Sequence, residues 1–165
     1  MVLAAVAAAA PLPAPAAGGA TARLPRAGVL VPGTSLGGLR LGMSASRVRA
    51  LLGGNFGRCR SCAWETWYYG YRPFTPAGLA VELRGRRVAA VFTMWSPSRW
   101  RSPEGLVLGD PAEQVTATYG PLTRRSCTGY DVLVLPGTGA TTAFMVVDER
   151  LWGFILAGPR APLCR

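Results

Sequence analysis

The sequence contains no histidine and no lysine, and only 8 of its 165 residues are Asp or Glu. Without imidazole, Ser-His-Asp triads, Cys-His pairs and histidine metal sites are excluded. Glycosidase-type chemistry needs two convergent carboxylates. Of the few acids, Asp110 and Glu113 are expected at a helix start and Asp148 and Glu149 in a turn. Glu65, on an aromatic stretch, is the one acid in an unusual setting, and pairing with an arginine accounts for it. No glycine loop able to cradle phosphate is present, because Gly137-Thr138-Gly139 has no Lys after it. The expectation is a protein that is not an enzyme and uses no cofactor and no metal. Long apolar runs are also missing. The opening segment is apolar up to Arg23, but prolines at 11, 13 and 15 interrupt it. It falls short of the roughly 20 apolar residues of a membrane span.

That opening segment instead reads as a secretory signal peptide over residues 1–22, ending in the small-x-small site Ala20-Thr21-Ala22. A plain Ala/Pro tail is the alternative. Secretion agrees with the 4 Cys, at 59, 62, 127 and 164. An even count in an exported chain implies disulfides, and the favoured pairs are Cys59–Cys62 and Cys127–Cys164. Cys59-Arg60-Ser61-Cys62 also has the spacing of a thiol–disulfide motif. A redox Cys normally heads a helix, which lowers its pKa. An aromatic strand is expected directly after this pair, so a structural clip is preferred. A four-Cys zinc site is disfavoured, since Cys127 and Cys164 are far apart in sequence.

The formal net charge is +10. This favours encounter with anionic partners, such as a cell-envelope polymer or an acidic protein, without giving specificity. Nucleic acid is not the expected partner.

The organising stretch is Leu39–Gly53, with an echo at Leu106–Gly120. Leu39/Leu106, Leu41/Leu108, Gly42/Gly109, Ala45/Ala112, Val48/Val115, Ala50/Ala117 and Gly53/Gly120 match at a constant offset of 67. Ser44 and Asp110 are expected helix caps, and Gly53 and Gly120 stops. After each helix comes strand material: Cys62–Tyr71, then a hairpin of Leu79–Leu83 and Val88–Trp95; and Cys127–Leu135, then a hairpin of Ala143–Val147 and Arg150–Leu156. Strict alternation places Leu79, Val81, Leu83, Val88, Ala90, Phe92 and Met94 on one face. It likewise groups Phe144, Val146, Leu151 and Ile155. The other face of the second hairpin, with Met145, Val147, Trp152 and Phe154, is apolar too, so something covers it: another part of the chain, or a partner.

The expected fold is therefore α+β: two tandem repeats, each a short helical element on an antiparallel sheet of about three strands. The boundaries are an N-terminal arm at 23–35, repeat one at 36–95, a linker at 96–104 and repeat two with its tail at 105–165. The linker carries Arg99-Trp100-Arg101, which either clamps an anionic partner or folds its Trp onto the hydrophobic seam.

The unit Leu-x-Leu-Gly-Met-Ser-x-x-x-Val-x-x-Leu-Leu-Gly, followed by a Gly85-Arg86-Arg87-Val88 hairpin, resembles the repeat of the SmpA/OmlA outer-membrane-assembly domain. It is also similar to the β-lactamase-inhibitor-protein family, in which two such units stand in tandem. The resemblance spans residues 36–158 and implies a sheet surface that holds another protein through aromatic side chains. By position these would be Trp67, Tyr69, Trp95 and Trp152. The lipid-attachment Cys of the outer-membrane proteins has no counterpart here. The candidate binding set is Trp67, Tyr69, Trp95, Arg99, Trp100, Arg101, Met145, Trp152 and Phe154. The expected function is a secreted, inhibitor-like binding protein; the alternatives are a thiol–disulfide protein and a basic binder of anionic polymers.

Overall fold

The computed structural model describes residues 28–70, 78–93 and 99–165. The signal-peptide reading and residues 23–27 of the expected arm lie outside them. In chain order the elements are β1 (Gly28–Val31), β2 (Ser35–Leu36), α1 (Ala45–Leu52), β3 (Gly57–Arg58), β4 (Glu65–Tyr69), β5 (Leu79–Arg84) and β6 (Arg87–Thr93). They continue with β7 (Trp100–Arg101), α2 (Ala112–Tyr119), β8 (Thr123–Cys127), β9 (Tyr130–Leu135), β10 (Thr141–Val147) and β11 (Arg150–Ala157).

Two tight turns set the strand pairing. Gly85 and Arg86 have φ of 56° and 61°, and Asp148 and Glu149 have 48° and 55°. Left-handed conformation at both central residues matches the twist of the flanking strands. Each hairpin then carries a bulge. Leu83 faces Val88 but Glu82 faces Ala90, which leaves Ala89 extra. Val146 faces Leu151 but Met145 faces Gly153, which leaves Trp152 extra. One extra residue sends every later side chain to the opposite face. Val91, not Ala90, thus shares the main core with Val81, while Ala90 and Phe92 lie on the other side of the sheet. In the second hairpin Phe154 and Leu156 take the side expected of Ile155. The strict alternation read from the sequence is corrected at these two points.

The α+β, two-repeat architecture is also corrected. Among the described residues 46% are strand and 13% helix, so β structure dominates. The strands form one 8-stranded antiparallel sheet in the order β3-β4-β5-β6-β11-β10-β9-β8, and a 3-stranded sheet β2-β1-β7. The cause lies at the middle. β6 and β11 pair through Phe92↔Ile155, Val91↔Leu156 and Ala90↔Ala157, so two edges that would otherwise present unpaired backbone groups are fused. The stretch expected as a single strand at Cys127–Leu135 is instead split between β8 and β9 by a turn at Thr128-Gly129.

Both helices are only eight residues long. Helices this short need tertiary support, and both are fastened in the same way. Gly42 N donates to Val88 O at 2.8 Å and Ala45 N to Arg86 O at 2.9 Å; Gly109 N donates to Leu151 O at 2.7 Å and Ala112 N to Glu149 O at 2.9 Å. The Arg87 guanidinium donates to Gly42 O at 2.9 Å and that of Arg150 to Gly109 O at 3.0 Å. Ser44 caps α1, accepting from Arg47 N at 3.3 Å. Asp110 does not cap α2. Its carboxylate accepts from Val107 N at 2.8 Å and shapes the approach loop.

The main core lies between one face of the large sheet and the two helices with β1, β2 and the segment around Trp100 and Leu106. Trp100 is fully buried. A Cβ on Gly28 would stand 2.6 Å from its ring and one on Gly37 2.8 Å. The absent side chains at these two positions make the slot in which the indole sits. The opposite sheet face holds a smaller apolar cluster of Ala80, Ala90, Phe92, Val132, Ala143, Met145, Ile155 and Ala157, against which Leu163 and Ala161 of the tail are packed.

Candidate functional site

Most of the aromatic side chains expected to form a binding face belong to the interior. Trp67 and Tyr69 are buried, stacked with or tilted against Phe56 at ring separations of 4.2 and 5.4 Å. The Arg49 guanidinium of α1 lies 5.0 Å from the Trp67 ring, and Glu65 accepts from the Trp67 indole N–H at 2.8 Å. Burial pushes the Tyr69 hydroxyl up to about 12, against the lowering effect of Arg49. Phe154 is buried edge-on to Phe144. Met145 is buried under the tail, with Trp152 half-buried beside the same cluster. Trp95 lies outside the described residues. In the linker motif Trp100 turns inward, so it does not clamp a partner, while Arg99 and Arg101 stay exposed beside a shallow hollow that includes Val107. Alternation groups the side chains of a face only as far as each bulge. It could not show that helices and tail cover both faces.

The cysteines pair as Cys59–Cys62 and Cys127–Cys164. Cys59 and Cys62 stand between β3 and β4, away from any helix start. The second bridge fastens the tail across the sheet. There Arg165 Nη2 lies 3.3 Å from Glu82 Oε2, a charge contact that leaves this oxygen without a hydrogen bond. The Arg165 guanidinium also sits 4.2 Å from the Phe92 ring, and Arg165 N donates to the Tyr130 hydroxyl at 2.6 Å. Burial raises the Glu82 carboxyl above its usual range despite Arg165, and lowers the Arg165 guanidinium despite Glu82.

A groove of about 440 Å³ opens where the β5–β6 hairpin, the chain leaving β11 and the β9–β10 loop meet. Leu41, Val88 and Ala89 form its floor, and Trp64, Arg84 and Arg160 stand around it. Gly158 N donates to the carbonyl of the bulge residue Ala89 at 2.8 Å, which joins the tail to the hairpin there. Arg84 lies 5.8 Å from the Trp64 ring. Among the described residues no carboxylate lines the groove. In the sequence Trp64 reads as one more aromatic of a strand, whereas the structure sets it just before β4, at the edge of the groove.

Charge is unevenly spread. Residues 36–95 carry nine arginines and two carboxylates, whereas residues 105–165 carry five of each. Among the described residues only Arg124 and Arg165 pair with carboxylates. Arg124 bridges Asp131 at 2.7 Å and also contacts Glu149. These bonds raise its pKa and hold Asp131 below the usual carboxylate range. Among the described residues, Arg124 thus meets two carboxylates of its own half, whereas the ion pair that reaches the first half joins Glu82 to Arg165 of the tail. A third polar group lies beside α2, where Tyr119 donates to Glu104. Burial followed by that bond pushes Tyr119 up to about 12. Among the described residues no cluster of three or more His, Cys, Asp or Glu is placed to hold a metal ion. No helix there is long and apolar enough to cross a membrane.

No family model and no curated protein matches the chain. Among solved structures it is similar to an extracellular protein containing an SCP domain from Bacillus anthracis str. Ames, with a TM-score of 0.53 at 12% identity. The match covers 72% of this chain and 44% of that one, so this chain spans under half the length of its structural neighbour, and what the two share is a fold.

Proposed function

We propose that this is an extracellular, non-catalytic binding protein that meets an anionic partner with the half of the molecule built from α1 and β3–β6. The observation that carries this reading is the unpaired arginines of that half, Arg40, Arg47, Arg58, Arg60, Arg84 and Arg86, all exposed and none within reach of a carboxylate among the described residues. Like charges gathered this way repel one another and work against folding, and a negative partner relieves that repulsion. The extracellular setting is supported by the two disulfides, which persist in oxidising compartments. It also agrees with the structural neighbour, which is described as extracellular.

The test uses dextran sulfate as the anionic probe. Binding should weaken steeply between low and physiological salt, as expected for released counterions. The triple variant Arg40→Gln/Arg47→Gln/Arg58→Gln should bind about ten-fold more weakly or worse, because charge-assisted contacts are worth about 1.5–3 kcal/mol each. Arg125→Gln, on β8 in the balanced half, should bind like the wild type. Salt-insensitive binding, or equal losses for both variants, would overturn the reading.

A further inference from the structure

The groove beside Trp64 combines two chemistries that a purely ionic surface does not need. Its lining is aliphatic at Leu41, Val88 and Ala89, and its edge carries two guanidiniums, Arg84 and Arg160, neither of which meets a carboxylate among the described residues. Trp64 is half-buried next to Arg84. Tryptophan and arginine beside apolar contacts are the residues that dominate protein–protein recognition.

We infer that this groove holds a short acidic segment of a partner polypeptide. An apolar side chain of the segment rests on Leu41, Ala89 and the Trp64 ring, and flanking carboxylates are taken by Arg84 and Arg160. Guanidinium and carboxylate match in shape and can form two parallel hydrogen bonds. A sulfated or phosphorylated polymer offers charge but nothing to cover the aliphatic floor. An anionic lipid offers both, and the phosphatidylglycerol vesicles below test for it. A peptide supplies carboxylate and aliphatic groups at side-chain spacing. This rests on the proposed function, since the unpaired arginines of the first half bring the partner in. It goes further in naming the site and the partner class.

The experiment titrates the full chain with the peptide acetyl-Glu-Leu-Glu-Leu-Glu-amide and follows the Trp64 indole N–H by NMR, assigned with Trp64→Phe. Penta-glutamate, dextran sulfate and phosphatidylglycerol vesicles are run in parallel. The Glu/Leu peptide should shift the Trp64 signal saturably. Arg84→Gln and Arg160→Gln should each raise Kd about ten-fold, with melting curves like the wild type because both side chains are exposed. Arg125→Gln should leave Kd unchanged. An unmoved Trp64 signal overturns the inference, as does an equal response to penta-glutamate, to dextran sulfate or to the vesicles. If dextran sulfate still binds in a salt-dependent way while Trp64 stays silent, the groove fails and the proposed function stands. If neither probe binds, both fail.

Discussion

Glu82 is an acid on a strand centre, opposite Thr66 and Ala90, where an apolar residue would fit with less penalty. It is tolerable there because Arg165 reaches it from the tail, yet burial still outweighs that attraction and its carboxyl titrates above the usual range. The consequence for stability has a definite sign. Below about pH 4 the group is protonated in both folded and unfolded chains and contributes no difference. As pH rises, the unfolded chain ionises first, and the folded state is penalised until its own carboxyl ionises. The stability of the wild type relative to Glu82→Gln should therefore fall from pH 4 upward and level off once the raised pKa is passed. Thermal melts of the two proteins across pH 3.5–7 measure this difference. A flat or rising difference would show that Arg165 dominates the site.

At the scale of elements, the tail after β11 forms no helix or strand and is held by a disulfide, an ion pair and a hydrogen bond. Cys127–Cys164 spans a sequence separation of 37, against 3 for Cys59–Cys62. On the chain-entropy model these closures are worth about 4 and about 2 kcal/mol. The Cys127→Ser/Cys164→Ser variant should lose about twice as much stability in urea denaturation as Cys59→Ser/Cys62→Ser. The reverse order would mean that the tail packs without its bridge. Elements were the best-read level of the sequence. The Ser44 cap, the glycine stops, the strand at Val29–Val31 and both hairpin turns follow from local chemistry that the residues carry openly. The bulges do not. Ala89 and Trp152 are not residue types that signal an extra position, and a single insertion moved Ala90, Phe92, Phe154 and Ile155 to faces opposite those the alternation assigned. Strand β8 was lost for a related reason. Thr-Arg-Arg-Ser-Cys is an exposed edge with no apolar face, so it leaves no periodic trace. The candidate site was less legible still. The family resemblance points to Trp67 and Tyr69, and alternation to Phe154, as surface contacts, but what covers a strand face is decided by segments distant in sequence. The groove needs Leu41, Trp64, Arg84 and Arg160 from four separate stretches.

For the whole molecule, the decisive contact is the β6–β11 seam. Two independent helix-on-sheet units would each own a core and could melt apart. Here Val91 and Leu156 pair across the seam, and both belong to the one large cluster that also contains Trp67 from one side and Phe144 from the other. Neither half can open without exposing apolar surface of the other. Unfolding should therefore be a single cooperative transition. Far-ultraviolet circular dichroism, which sees the sheet, and tryptophan fluorescence should report the same midpoint. Leu156→Ala, which leaves a cavity at the seam, should lower that shared midpoint by the equivalent of about 2–5 kcal/mol and keep the two probes coincident. Separate midpoints in the wild type would restore two folding units. Coincident midpoints that split only in Leu156→Ala would show instead that the seam alone couples them.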